Sequence, residues 1–146
     1  YGCPWVMIIR LHPRLASKAK KIIPKSPKFI NGSNYLDMQD LLVASDMMIS
    51  DYSSCVTDFM LTRKPAFLYV PDIDEYIKSR GMYFDLDELP FPYARTTDKL
   101  MEVMSSFDET AYIEKVNSFV KRIGYLDDGQ SAKRIVDFLE EKMWKK

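Results

Sequence analysis

Two short polar stretches, with one aspartate a turn beyond the second, hold the side chains best able to do chemistry. His12-Pro13-Arg14 contains the only histidine of the chain and, two residues on, a guanidinium. A histidine exchanges protons near neutral pH in an ordinary environment, and the planar fork of an arginine matches phosphate oxygens. The pair could serve as general acid or base and as phosphate donor. A histidine that only satisfies local hydrogen bonds would show the same spacing. Asp51-Tyr52-Ser53-Ser54 reads as a turn opening a helix over Cys55 to Leu61. A helix start exposes unpaired backbone N–H groups and the positive end of the dipole, worth about 0.3–2 kcal/mol to an anion. Two hydroxyls there add donors without charge or bulk, although an ordinary serine N-cap folded by Asp51 needs the same residues. Asp58, about a turn into that helix, could accept from ribose hydroxyls or complement the positive end of the helix. Neither GxGxxG nor GxxxxGK[ST] occurs, so NAD-type and P-loop sites lack their carriers.

These stretches need a scaffold, and the hydrophobic pattern supplies one. Val6 to Leu11 is a nearly continuous apolar run, as expected of a strand covered on both faces, and His12-Pro13-Arg14 ends it. Leu15 to Ile23 predicts a basic helix closed by Pro24 and Pro27, and Lys28 to Asn31 a short strand. Asp37 caps a helix through Leu42-Val43-Ala44, and Met47 to Ser50 is another buried strand. Pro65 to Val70 forms the fourth, terminated by Pro71. Strands alternating with helical stretches predict βαβ crossovers, a parallel sheet and an α/β, Rossmann-like domain. In such sheets ligands bind beyond the carboxyl ends of the strands, which places His12-Pro13-Arg14, Asp51-Tyr52-Ser53-Ser54 and Pro71-Asp72 along one rim.

Beyond Pro71 the pattern is mixed, and Asp72 to Tyr93 predicts a long ordered loop over the sheet edge. Leu100, Val103, Met104 and Phe107, then Tyr112, Ile113, Val116, Phe119, Val120 and Ile123, follow helical spacing. Asp127-Asp128-Gly129-Gln130 is a turn. Ser131 begins a last helix, with Ile135, Val136, Leu139 and Met143 facing inward and Lys142, Lys145 and Lys146 suiting its negative end.

Composition narrows the classes. With 146 residues the chain fits a single domain, and equal counts of 21 basic and 21 acidic residues argue against bulk nucleic-acid binding. Apolar residues at 47% and charged residues at 29% exclude disorder, and no apolar run is long enough to span a bilayer. Cys3 and Cys55 form no CxxC pair, which fits reduced thiols in a cytoplasmic setting. Tyr1-Gly2-Cys3-Pro4 has neither initiator Met nor signal-peptide character, and reads as the start of a piece of a longer protein. Lys18, Lys20, Lys21, Lys25 and Lys28 form a basic stretch that could face an anionic lipid surface or acceptor, or simply water. The nine methionines mostly occupy apolar positions and read as core filler.

The order Ile9-Arg10-Leu11-His12-Pro13-Arg14, then Ser45 to Ser54 (SDMMISDYSS), Asp58-Phe59 and Lys64-Pro65, resembles the CDP-glycerol glycerophosphotransferase family of teichoic-acid polymerases and primases. Tyr69-Val70-Pro71-Asp72 with Glu75-Tyr76, Arg80 to Asp85 (RGMYFD), and Asp127 to Val136 (DDGQSAKRIV) are similar to its later blocks. The DYSS turn with its following aspartate is the most specific of these, and the HP dipeptide the least.

The resemblance implies a GT-B architecture of two Rossmann-like domains, with this chain corresponding to the C-terminal, donor-nucleotide-binding one. By position His12 would be catalytic, with Arg14 beside it near the donor diphosphate. Ser53 and Ser54 would bind phosphate, and Asp58 and Asp51 would lie on the ribose and nucleotide side. Glycerol phosphate would pass from CDP-glycerol to a hydroxyl of a lipid-linked acceptor, releasing CMP, with no metal and no cofactor beyond the donor. The implied partners are the N-terminal domain of the same polypeptide and the acceptor at the inner face of the cell membrane, where the full-length protein would be peripheral. Catalysis in the family also uses a histidine of the N-terminal domain, which has no counterpart here, so the isolated chain would bind nucleotide weakly and turn nothing over. The family often carries consecutive hydroxyl residues where this chain has Gln130-Ser131-Ala132, which weakens any anion site at that helix start. Two other readings fit the same residues: a GT-B sugar transferase or epimerase using another nucleotide sugar, and a non-catalytic binding domain.

Overall fold

The computed structural model describes residues 4–126 and 128–143. Cys3, Asp127, Lys145 and Lys146 lie outside them. The chain divides into two compact units, residues 1–66 and 67–146.

In the first unit, β1 (Met7–Ile9) and β2 (Phe29–Asn31) pair in parallel, with Met7 beside Phe29, Ile8 beside Ile30 and Ile9 beside Asn31. The connection between them is a 3-10 helix over Pro13–Lys18 followed by the single turn of α1 (Ala19–Ile22). One helix from Leu15 was expected. Pro24 sets the end, since the residue before a proline is pushed out of the helical region, and Ile23 is extended at φ −79°, ψ 126°. Confined between two prolines, the segment is too short to repay helix nucleation and winds partly as 3-10.

Next come α2 (Met38–Ala44), β3 (Met48–Ser50) and α3 (Cys55–Met60). Asp37 caps α2 as expected, its carboxylate accepting from the N–H groups of Gln39 at 2.8 Å and Asp40 at 3.4 Å. The buried residues of this unit are Ala19, Leu42, Val56, Phe59, Met60 and Ala66. Double-sided cover of the first strand does not hold: Met7 and Ile8 are 40% and 37% exposed. A three-residue strand flanked by one-turn and two-turn helices has too little helix surface above it to be sealed.

β4 (Ala66–Tyr69), whose residues from Phe67 on open the second unit, is almost wholly buried, with Phe67 packed edge-on against Phe107 at 5.1 Å. Asp72 to Tyr93 is not the long loop its composition suggested. It holds α4 (Ile73–Arg80), a 3-10 turn at Leu86–Glu88 and the start of β5 (Tyr93–Ala94). β5 runs parallel to β4: the Leu68 N–H donates to the Pro92 carbonyl and that of Val70 to the Ala94 carbonyl, both at 2.9 Å. Prolines before so short a strand hid it, because its hydrogen bonds come from a distant partner and not from its own pattern.

α5 (Thr97–Ser105) and α6 (Glu109–Arg122) bury Leu100 and Tyr112, Val116 and Phe119, as their spacing predicted. The Arg122 guanidinium lies over the Phe84 and Phe119 rings and donates to Glu88 Oε1 at 3.2 Å. α7 (Ser131–Met143) forms as predicted but buries nothing. Ile135, Val136, Leu139 and Met143, expected inward, are all exposed, Ile135 at 60%. Helical periodicity shows that a helix has an apolar face; it does not say what covers that face. Among the described residues no helix is long and apolar enough to cross a membrane.

Candidate functional site

His12, Arg14, Asp51, Ser53, Ser54 and Asp58 fall in the first unit, in two local clusters, while Pro71-Asp72 belongs to the second. The first follows β1. His12 occupies the N-cap of the 3-10 helix with Pro13 at its first position, and its Nδ1 accepts the Arg14 backbone N–H at 3.2 Å. Spending Nδ1 as an acceptor puts the proton of the neutral ring on Nε2, so the outward edge of the imidazole is a donor. His12 and Arg14 are both exposed.

The loop behind them is stitched to the residues after β2. The Arg10 guanidinium donates to the Gly32 and Tyr35 carbonyls, at 3.1 Å to the former, and the Leu11 N–H donates to Ser33 Oγ at 3.1 Å. Sequence reasoning passed over this arginine; a charge at the end of an apolar strand was the available signal. Tyr35 donates to Asp40 at 3.2 Å, and that hydrogen bond to a carboxylate raises the phenol above its ordinary pKa.

The second cluster follows β3. Asp51 folds the turn as expected, its Oδ1 accepting the Ser53 N–H at 3.2 Å. Ser53 Oγ then accepts from the Cys55 N–H at 3.4 Å and from the Cys55 thiol at 3.0 Å. The helix cap departs from expectation in detail. Ser54 is the N-cap residue, yet its side chain makes no capping bond, because its αR conformation (φ −62°, ψ −15°) turns the hydroxyl away from the helix start. Ser53, Ser54 and Asp58 are exposed, and Asp58 stands in the first turn of α3.

A further contact missed from sequence supports this cluster. Lys64, after α3, sends its ammonium to the carbonyls of Val43 and Ser45 at 2.9 and 2.8 Å, meeting the negative end of α2. The structure therefore groups Asp51, Ser53 and Cys55, and separately His12 with Arg14. No hydrogen bond or ion pair joins the two groups among the described residues. Nor do the described residues hold any group of three metal-ligating side chains.

The helix start at Ser131 is occupied by the protein itself. Asp128 Oδ1 accepts the Gln130 N–H at 3.0 Å and pairs with Arg134 at 2.9 Å, and these bonds hold its carboxyl below the usual range.

Parallel strand pairs flanked by helices, with polar turns after β1 and β3, define an α/β fold of the Rossmann-like kind. Comparison with known sequences narrows the class: residues 2–141 match the model of the family described as CDP-Glycerol:Poly(glycerophosphate) glycerophosphotransferase, and the chain belongs to it. A teichoic acid glycerol-phosphate transferase of Staphylococcus aureus is 34% identical over 136 residues, covering 90% of this chain and 34% of that protein. A teichoic acid poly(glycerol phosphate) polymerase of Bacillus spizizenii is 32% identical over 137 residues, covering 92% and 34%.

Among solved structures, the wall teichoic acid polymerase TagF superposes with a TM-score of 0.74 at 29% identity, over 93% of this chain and 34% of TagF. A TagF variant soaked with CDPG matches at 0.75 with 28% identity over 96% of this chain and 35% of that one. The chain thus spans between about a fifth and about a third of the length of these relatives. The fold is a mixed α/β arrangement, with parallel strand pairs flanked by helices, that matches part of TagF, a GT-B-type polymerase.

Proposed function

We propose that this chain is the donor-binding part of a transferase that moves glycerol phosphate from CDP-glycerol to a lipid-linked acceptor in the synthesis of teichoic acid or a related cell-surface polymer. The observation that carries the reading is the family match over residues 2–141, which includes both polar clusters. The TagF structure determined with CDPG supports a nucleotide donor of this chemistry.

The chemistry follows from the residues. An acceptor hydroxyl oxygen attacks the phosphorus that bears glycerol, the bond from that phosphorus to the bridging oxygen breaks, and CMP leaves with the bridging oxygen. Such transfers are catalysed mainly by positioning and by donors aimed at the growing negative charge. The Ser54 hydroxyl, unspent within the protein, and the backbone N–H groups at the start of α3 would hold non-bridging oxygens. Arg14 would add a charged fork. His12, with Nδ1 committed to the Arg14 N–H, would present Nε2–H to the leaving phosphate. Asp58 would accept from ribose hydroxyls, with Asp51 shaping the turn. The base that takes the acceptor proton is assigned to the N-terminal domain of the same polypeptide, and the full-length enzyme acts at the inner face of the cell membrane.

A structure of the chain soaked with CDP-glycerol tests this. Diphosphate within hydrogen-bonding reach of the Ser53 and Ser54 amides, with His12 and Arg14 converging on it, is the expected result. Tighter calorimetric binding of a uridine nucleotide sugar than of CDP-glycerol would instead favour a sugar transferase or epimerase. Unchanged turnover after His12→Ala and Ser53→Ala in the full-length protein would favour a non-catalytic domain.

A further inference from the structure

The first 36 residues carry seven basic side chains and no acidic one; all 21 acids of the chain lie beyond them. The fold gives this asymmetry a place. Because β1 and β2 run parallel, the residues that precede them share one edge of the first unit, opposite the carboxyl ends from which His12 departs. Trp5 and Val6 enter β1 there. Ile22 ends α1, and residues 23–28 lead from it back to the same edge. Lys28 confirms the placement: its carbonyl accepts the Met7 N–H at 2.7 Å and its ammonium sits 4.9 Å from the centre of the Trp5 ring.

Trp5 is held edge-on against Phe29 at 6.0 Å yet remains 51% exposed. Val6 and Ile22 are exposed as well, as are Lys21, Lys25 and Lys28. A soluble polyanion would need only the lysines. Exposed indole and aliphatic side chains among unopposed lysines fit a surface that is anionic at the headgroups and apolar just beneath, where tryptophan sits by preference.

We infer that this edge, formed by Trp5, Val6, Lys21, Ile22, Lys25 and Lys28, docks on an anionic lipid bilayer. Contact there leaves the opposite edge, with the His12 cluster, open to solvent. The inference rests on the fold of the first unit and not on the donor reading, so a failed lipid test leaves that reading standing.

The test uses the 146-residue chain carrying Trp144→Phe, which makes Trp5 the only indole. It is sedimented with vesicles of phosphatidylcholine alone, or with one third phosphatidylglycerol. Binding to the anionic vesicles only is expected, with a blue shift of Trp5 emission and quenching by brominated acyl chains. Lys21→Ser, Lys25→Ser and Lys28→Ser should each weaken partitioning about fivefold, on the order of a hundredfold together. Val6→Ser should weaken it while leaving the circular dichroism unchanged. Absence of binding to anionic vesicles would overturn the inference. So would binding that leaves Trp5 emission unmoved and is abolished by soluble poly(glycerol phosphate) at the same phosphate concentration, which would assign the lysines to a soluble polyanion.

Discussion

Ser54→Ala separates a binding serine from a capping one. An N-cap serine that bonds its own helix costs about 0.5–2 kcal/mol of stability when truncated to alanine. Ser54 stands at the N-cap of α3 but makes no such bond, its side chain is exposed, and only its carbonyl is engaged, accepting the Thr57 hydroxyl at 2.6 Å and the Thr57 N–H at 3.0 Å. Removing Oγ leaves those bonds in place. Urea denaturation should therefore shift by less than about 0.5 kcal/mol, the usual range for a surface change. Binding should respond differently. A hydrogen bond to a charged oxygen contributes about 1.5–3 kcal/mol, so loss of the hydroxyl should weaken CDP-glycerol about tenfold to a hundredfold. NMR titration of the chain with CDP-glycerol and CMP, beside urea melts of the same samples, reads both quantities. Ser53→Ala is the contrast, since Ser53 Oγ accepts from Cys55 and its loss should lower stability as well. Ser54→Ala with unchanged affinity, or with a stability loss as large as that of Ser53→Ala, would refute the reasoning.

Lys64→Met should destabilise the first unit by about 1–2 kcal/mol, because two carbonyls at the end of α2 lose a charged donor, with some screening by solvent; urea melts with Lys64→Arg recovering part of the loss would check it. Gly32→Ala should cost about 1–3 kcal/mol by overpacking, since a Cβ there would stand 2.8 Å from Ile8 Cγ2 and 3.3 Å from Leu41 Cδ1, and a thermal melt equal to that of the parent chain would contradict it. Asp128 should titrate below an ordinary carboxylate in an NMR pH series. A lowered native pKa means the stabilisation is fully present above the ordinary value and is lost as pH falls through the lowered one, so the start of α7 should fray in acid. Arg134→Ala should move that titration only part of the way back, because the Gln130 N–H is the larger cause and stays in place.

How far the fold was legible follows from how local its causes are. Asp37 before α2 and Asp51 before Ser53 act within two or three residues, and the elements they bound were predictable from the sequence around them, whereas Pro24 marked the end of α1 but not the 3-10 winding before it. β5 was not, because a two-residue strand is defined by its bonds to β4, some twenty-five residues earlier in the chain, and prolines on its near side argue for a loop. Lys64 was visible only as part of a Lys-Pro block; that its ammonium caps α2 depends on where α2 ends in space.

The candidate site shows the same division. Chemistry-bearing residue types and the turn at Asp51 to Ser54 could be read from spacing, whereas the commitment of His12 Nδ1 to the Arg14 N–H could not. That one bond changes what the histidine can do. A ring whose Nδ1 is spent inward offers a proton outward at Nε2, so the sequence-level choice between acid and base is narrowed by a contact two residues away. The exposed faces of β1 and α7 carry the complementary lesson. Periodicity fixes which side chains are apolar, and the surrounding surface decides whether they become core or contact: Lys28 at the Trp5 ring, with the exposed Lys21 and Lys25, argues for contact with an anionic layer, whereas the described residues of α7 carry charges of both signs beside its apolar face.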